Sequence, residues 1–329
     1  MKRMFLAPLT ALGLLAFSPA VAQAPSPPGR PPITPLEMTR MRQLALAHAA
    51  MPDDPGTGPY PAIKEERPDF PGHVVYRPRD LAGLGRRRMP IYVFGNGACT
   101  GDGASARLHL LEIASHGYLV VAPGRILSGP GIPVPEAPTA HFNETTTEQL
   151  RAGIDWAIAE NGRRGSPFFG RVDTAHIAVS GHSCGGLQAL SLAGDSRVTT
   201  FVIMNSGIYN DQMPGRSGIQ LSKTQLERLR APILYVLGGP TDIAYGNGMD
   251  DYRRITGVPA VVANIPVGHG GTFWEPNGGR AARLVVDWLD WQLRGDRWAA
   301  RAFAGEHCRY CTDADWRIDR KNMPAAGSR

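Results

Sequence analysis

Beyond its first 24 residues the 329-residue chain has no apolar run that approaches a membrane span, no internal repeat, no low-complexity tract and no second linker. Those absences exclude a stable membrane insertion and favour one large folded domain over 36–329. Cysteine is scarce, at four. In an exported chain that number suits two disulfides, with three possible connectivities. Concentrated positive charge is also missing: net charge is +6, with a pI near 9.3, but the basic residues are scattered. Only Arg86-Arg87-Arg88 forms a run, which reads as a solvated turn, and without an aromatic-interleaved basic patch nucleic acid is not an expected partner. Glu112 and His116 share a helical face without a third ligand, so no metal and no cofactor are expected. A monomer is slightly favoured over an oligomer.

What is present begins with Lys2 and Arg3, an apolar run from Met4 to Phe17, and the small residues Ala20-Val21-Ala22-Gln23-Ala24. This pattern predicts a signal peptide over 1–24, cleaved after Ala22 or Ala24, and hence a periplasmic or secreted protein. A proline-rich tether follows over 25–35. Strand-like segments are His73 to Arg77, Ile91 to Phe94, Tyr118 to Ala122, Ile177 to Val179, Thr200 to Met204, Ile233 to Leu237 and Val258 to Ile265. Helical patterns fall between them at Ala104 to His116, Thr146 to Glu160, Leu187 to Ala193 and Gly279 to Leu293, with Asn143 or Thr145 capping the second. Alternation of short unbroken apolar runs with amphipathic segments predicts an α/β fold, a mostly parallel central sheet with helices on both faces.

One motif points to chemistry. Ala178-Val179-Ser180-Gly181-His182-Ser183-Cys184-Gly185-Gly186 drives an apolar strand into Gly-x-Ser-x-Gly and then into helix. That is a nucleophile elbow, whose serine Oγ is lifted out of the backbone for acyl transfer. A serine hydroxyl is a weak nucleophile at neutral pH, so it needs an imidazole to take its proton and a carboxylate to orient that imidazole. Two later strands each run into a glycine-containing loop, presenting Asp242 and His269 in the chain order Ser, Asp, His. Asp250 and Asp251, at what reads as a helix start, are the alternative acids. His182 reads as pocket lining or support, with its side chain directed away from Ser183. His109, His116, His141 and His176 read as surface or structural residues. Oxyanion donors are expected from Cys184 N–H and from the loop Gly95 to Gly103, at Asn96, Gly97 or Ala98. Trp274, Tyr209 and Met213 are candidates to line an acyl pocket.

With these residues in place the chain resembles the secreted α/β-hydrolases of the cutinase-like polyester hydrolase and dienelactone hydrolase-like group. Besides the elbow, the anchors are Gly58-Pro59-Tyr60, Ala114-Ser115-His116-Gly117-Tyr118, Gly170 to Ala175, and Trp288-Leu289 through Asp296-Arg297. The resemblance implies the α/β-hydrolase fold and ester hydrolysis. It departs at the cleft: His182 stands where polyester hydrolases commonly carry Trp or His, but Cys184 stands where they commonly carry Met, and Asn96 where they usually carry an aromatic side chain. The function expected first is therefore an exported serine carboxylic-ester hydrolase acting on small or medium acyl esters. Hydrolysis of polyester, cutin or lactones by the same triad is the alternative, and a ligand-binding protein on an inactive hydrolase scaffold is the reading from another class. Cys308 and Cys311 are placed for a local bridge, which leaves Cys99 and Cys184 as partners of each other or as two buried free thiols.

Overall fold

The computed structural model describes residues 35–134, 143–210 and 218–323. The expected signal peptide, the expected tether up to residue 34, His141 and Met213 lie outside the described residues. Pro35, expected to close the tether, instead opens helix α1 (Pro35–Ala50).

Among the described residues the strands are β1 (Ala62–Arg67), β2 (Phe70–Pro78), β3 (Met89–Gly95), β4 (Leu119–Pro123), β5 (Val172–His182), β6 (Thr200–Met204), β7 (Ile233–Leu237), β8 (Ala260–Asn264) and β9 (Arg317–Lys321). They form one sheet in the order β1-β2-β4-β3-β5-β6-β7-β8-β9. The six strands from β3 to β8 run parallel, and β1, β2 and β9 pair antiparallel at the edges. Every residue of β3, β4, β6, β7 and β8 is buried, as unbroken apolar runs must be when helices cover both faces.

The other helices are α2 (Arg107–Ser115), α3 (Thr147–Gly162), α4 (Cys184–Ser191), α5 (Tyr245–Arg254), α6 (Gly279–Arg294) and α7 (Arg297–Ala300). One core layer joins alternate strand residues such as Ile91 and Val93 to Leu150, Ile154 and Ala157 of α3 and Leu187 of α4. The other joins Tyr92 and Phe94 to Leu110 of α2 and to Leu284 and Trp288 of α6. This is an α/β-hydrolase architecture: a mostly parallel sheet between two helical layers.

Several local expectations change. Neither Asn143 nor Thr145 caps α3: Thr146 does, accepting from Gln149 N–H while the Gln149 side chain accepts from Thr146 N–H, a reciprocal box that satisfies two end donors. The edge strands β1 and β9 are charged, Ala-Ile-Lys-Glu-Glu-Arg and Arg-Ile-Asp-Arg-Lys, which blunts edge-to-edge pairing and hides them from a search for apolar runs. Asp250 and Asp251 lie in the second half of α5, not at its start.

The chain order places β4 and β5 on opposite sides of β3. Connections therefore diverge at the carboxyl ends of β3 and β5, where open α/β sheets leave a crevice.

Candidate active site

The loop after β5 is the tightest turn at that crevice. Ser183 has φ 51° and ψ −117°, a sparsely populated conformation that persists only where the surroundings enforce it. They do so by close approach: a Cβ on Gly181 would sit 2.2 Å from Gly185 O, and one on Gly185 would sit 2.0 Å from Gly95 O. Glycine at both positions is thus a packing requirement. The Ser183 N–H donates to Met204 O at 3.0 Å, and Ser206 Oγ donates to Ser183 O at 2.6 Å, so β6 holds the turn from the side.

His269 Nε2 lies 2.9 Å from Ser183 Oγ, and its Nδ1 lies 2.6 Å from Asp242 Oδ1. Residues far apart in the chain are joined here because β5, β7 and β8 end at one edge of the sheet. Asp242 is buried, and burial alone raises its pKa. Hydrogen bonds from His269 and from the Ala244 and Gly238 N–H groups outweigh that and hold the carboxyl below its ordinary range. Neither alternative acid is paired with His269. Asp250 pairs with Lys223, Arg253 and Arg254. Asp251 is buried against Lys223, Tyr235 and the Ile208 N–H, and its burial lifts its pKa to about 6.

His182 packs against the histidine loop. Its ring is 5.2 Å from that of His269 and 4.7 Å from that of Phe273. Its Nε2 is 2.8 Å from His269 O; a carbonyl only accepts, so Nε2 carries the proton. Burial, with the neighbouring His269 adding to it, lowers the His182 pKa to about 4. The unprotonated Nδ1 faces Gly97, where a Cβ would come within 2.5 Å. His182 is therefore a neutral strut between the loop after β3 and the histidine loop.

That loop after β3 is a single 3-10 turn, Gly97–Cys99, with Ala98 at φ 52° and Cys99 at φ 51°. Two consecutive left-handed residues without glycine cost on the order of 1–3 kcal/mol each. Three things hold them. Cys99 is bonded to Cys184, the residue after Ser183, across 85 positions of sequence. Ala98 O accepts from Asn143 N–H, and Cys99 O accepts from the Glu144 and Thr145 N–H groups. Asn96, buried, donates from Nδ2 to Thr100 O and Pro123 O. The Asn96 side chain is thus a brace inside the loop, and its backbone N–H stays among the candidate oxyanion donors with those of Gly97 and Ala98. This loop lies beside Cys184, whose N–H opens α4.

Of the pocket candidates, Trp274 is 49% exposed and lies against His48 of α1, ring centres 5.5 Å apart. Tyr209 packs against the core layer beneath α3 and α4 and is not brought to Ser183 by any contact described. Among the other histidines, His116 pairs with Glu112 and His176 with Asp173. His109 is fully buried beside Tyr92 and Phe273, and its Nδ1 has no partner among the described residues. Among the described residues no group of three His, Cys, Asp or Glu is placed to hold a metal, and no helix is long and apolar enough to cross a membrane. Cys308 and Cys311 form the second disulfide.

Sequence reasoning passed over Asn205 and Ser206, which follow β6 directly. The rule that singled out Asp242 and His269, a polar residue just beyond an apolar strand, applies to them equally.

Comparison with known proteins fits this geometry. The chain is similar to Cutinase cut1 of Thermobifida fusca, 28% identical over 173 residues, 47% of this chain and 48% of the relative. A cutinase of Thermobifida fusca strain YX is 29% identical over 173 residues, 50% of its length. The chain spans about half the length of the curated relatives it matches. No protein-family model matches.

Proposed function

We propose that this protein is an exported serine carboxylic-ester hydrolase of cutinase type, with Ser183 as nucleophile, His269 as base and acid, and Asp242 as the orienting carboxylate. The observation that carries the reading is the unbroken line Asp242 Oδ1, His269 Nδ1, His269 Nε2, Ser183 Oγ, at 2.6 and 2.9 Å, on a strained elbow. His269 takes the Ser183 proton as Oγ bonds the ester carbonyl carbon. The carbonyl oxygen, now negative, is received by Cys184 N–H and by Asn96, Gly97 or Ala98 N–H. The ester C–O bond then breaks, the leaving alcohol takes the proton from His269, and water repeats the sequence to free the acid. Two disulfides fit an oxidising compartment, in line with export behind a cleaved signal peptide.

Small and medium acyl esters are the leading substrates. A second reading, esters presented on an insoluble polymer, is favoured by one observation. Ile243 (80% exposed), Val267 and Trp274 are apolar, exposed, and within five residues of Asp242 or His269. Labelling by a fluorophosphonate, followed by a panel of soluble esters against polyester films, tests both. Labelling that is lost in Ser183→Ala supports the hydrolase; an unlabelled wild type would instead favour a binding protein on an inactive scaffold.

A further inference from the structure

We infer that Asn205 is a positioning residue that holds the Asp242–His269 couple in register; in catalysis this rests on the ester-hydrolase reading, but the register itself does not. Asn205 follows β6, has φ 46°, and is 2% exposed. Its backbone N–H donates to Val236 O at 2.7 Å, which ties it to β7. Its side-chain Nδ2 donates to Asp242 Oδ2 at 2.9 Å and to Gly268 O at 3.0 Å. Both amide hydrogens are thus used, one on the acid and one on the residue before the histidine.

The four contacts on Asp242 divide evenly. Oδ1 accepts from His269 Nδ1 and Ala244 N–H, and Oδ2 accepts from Asn205 Nδ2 and Gly238 N–H. Besides His269, Asn205 is the only side chain among those bonds, so it fixes the carboxylate plane with a group that does not titrate. Glycines on both neighbouring loops leave room for its amide. A Cβ on Gly238 would lie 2.8 Å from Asn205 Nδ2, and one on Gly271 would lie 2.9 Å from Asn205 Oδ1. Beyond Leu237 and Asn264 the loops after β7 and β8 are joined by one backbone bond, from Gly268 N–H to Gly238 O at 2.8 Å, and the Asn205 amide adds a side-chain bridge from the end of β6 to both loops.

A hydrogen bond to a buried carboxylate withdraws electron density from it. Without Asn205, Asp242 keeps its charge but loses a donor, so its attraction for a protonated His269 strengthens while its plane is freed. Asn205→Leu, close in size, is expected to lower kcat by about 10–100-fold with KM within about 3-fold, the worth of a hydrogen bond to a charged group. The pH at which the His269 imidazole titrates, followed by NMR with His269→Ala for assignment, is expected to move upward in the same variant. Asn205→Asp keeps the shape, replaces the donating edge with a second carboxylate, and should move that titration upward at least as far.

The NMR arm needs no turnover, so it judges the register even if the ester-hydrolase reading fails. An unchanged titration in both variants would overturn the inference. A kcat within 2-fold of wild type, or a loss confined to KM, would overturn its catalytic part. A purely structural role would lower stability without moving the titration, which thermal denaturation of the same samples reveals.

Discussion

Two sides of the crevice meet at Ser183 and are held in different ways. The side formed after β6, β7 and β8 is a hydrogen-bonded assembly in which Asn205, Asp242, His269 and Ser206 each lie within a few residues of a strand end. The side formed after β3 is a strained turn held by a disulfide, by backbone bonds from residues 143–145, and by Asn96. Close behind it, fully buried Arg107 at the start of α2 donates to His48 O, Met51 O and Asp53, which fastens the N-terminal segment there. In the proposed reaction the first side positions groups that change protonation state, and the second positions backbone amides, which do not. A catalytic side chain can be deleted and leave the fold intact, whereas backbone donors can be displaced only by loosening what holds the chain.

The largest test of that contrast falls on the first side. Ser183→Ala and His269→Ala are expected to lower kcat by on the order of 10⁴–10⁶, with thermal midpoints within a few degrees of wild type. Neither side chain belongs to the apolar core, and His269 retains partial exposure. Esterase assay beside thermal denaturation checks this. A variant that lost activity only because it unfolded would erase the difference between the two sides.

Asp242→Asn should follow, with a loss of up to about 10⁴ in kcat because the imidazole is left in the wrong tautomer. Asp250→Asn, whose partners are Lys223, Arg253 and Arg254, should leave kcat within about 2-fold. The reverse order would place the acid on α5 and move the first side of the comparison there.

On the second side, replacing Cys99 and Cys184 by Ser should lower stability and activity together. The loop closed by that bridge spans a separation of 85 residues, against 3 for Cys308–Cys311. Chain entropy assigns roughly 4–5 kcal/mol to the first and roughly 2 kcal/mol to the second. Urea denaturation measures both. Only the first pair should also reduce kcat, by about 10–100-fold if misaligning the oxyanion donors costs about as much as weakening one of them. Equal kcat in the two double variants would show that Asn96 and the 143–145 backbone hold the turn unaided.

The same contrast decides how much was legible in the sequence. Ser183, Asp242 and His269 are readable because each is a polar residue released by an apolar strand into a glycine-containing loop. Asn205 obeys that rule, yet amides have no assigned part in a Ser-His-Asp scheme. On the other side, the donors are main-chain N–H groups, which any residue type supplies. Asn96 is a donor candidate only through its backbone N–H, and no sequence pattern announces the brace that its side chain forms. β5 is legible only at Ile177–Val179, because its first half, Val172-Asp173-Thr174-Ala175-His176, alternates polar residues where β3 meets it with a register shift between Pro90 and Ile91. Helix α1 is invisible for a related reason. Most of its described side chains are exposed, and its anchor, Arg107 with His48, is a polar contact across 59 residues.

That anchor gives the smallest effect and the one most specific to the second side. Burial, and then the adjacent Arg107 guanidinium, lower the His48 pKa to about 4 from an ordinary 6.5. Its neutral form is therefore favoured by folding. Between those two values the unfolded chain binds a proton that the folded protein does not, so this contribution to stability is complete above pH 6.5 and is lost as pH falls toward 4. With allowance for solvent screening, the loss is on the order of 1–2 kcal/mol. His48→Gln keeps a polar side chain beside Arg107 and cannot titrate. Its stability should fall less than that of wild type when urea denaturation is compared at pH 7 and pH 4.5, while activity at pH 7 stays within about 2-fold. Parallel declines in the two proteins would detach the N-terminal clamp from the pH response, and the second side would then be held by the disulfide, the 143–145 backbone and Asn96 alone.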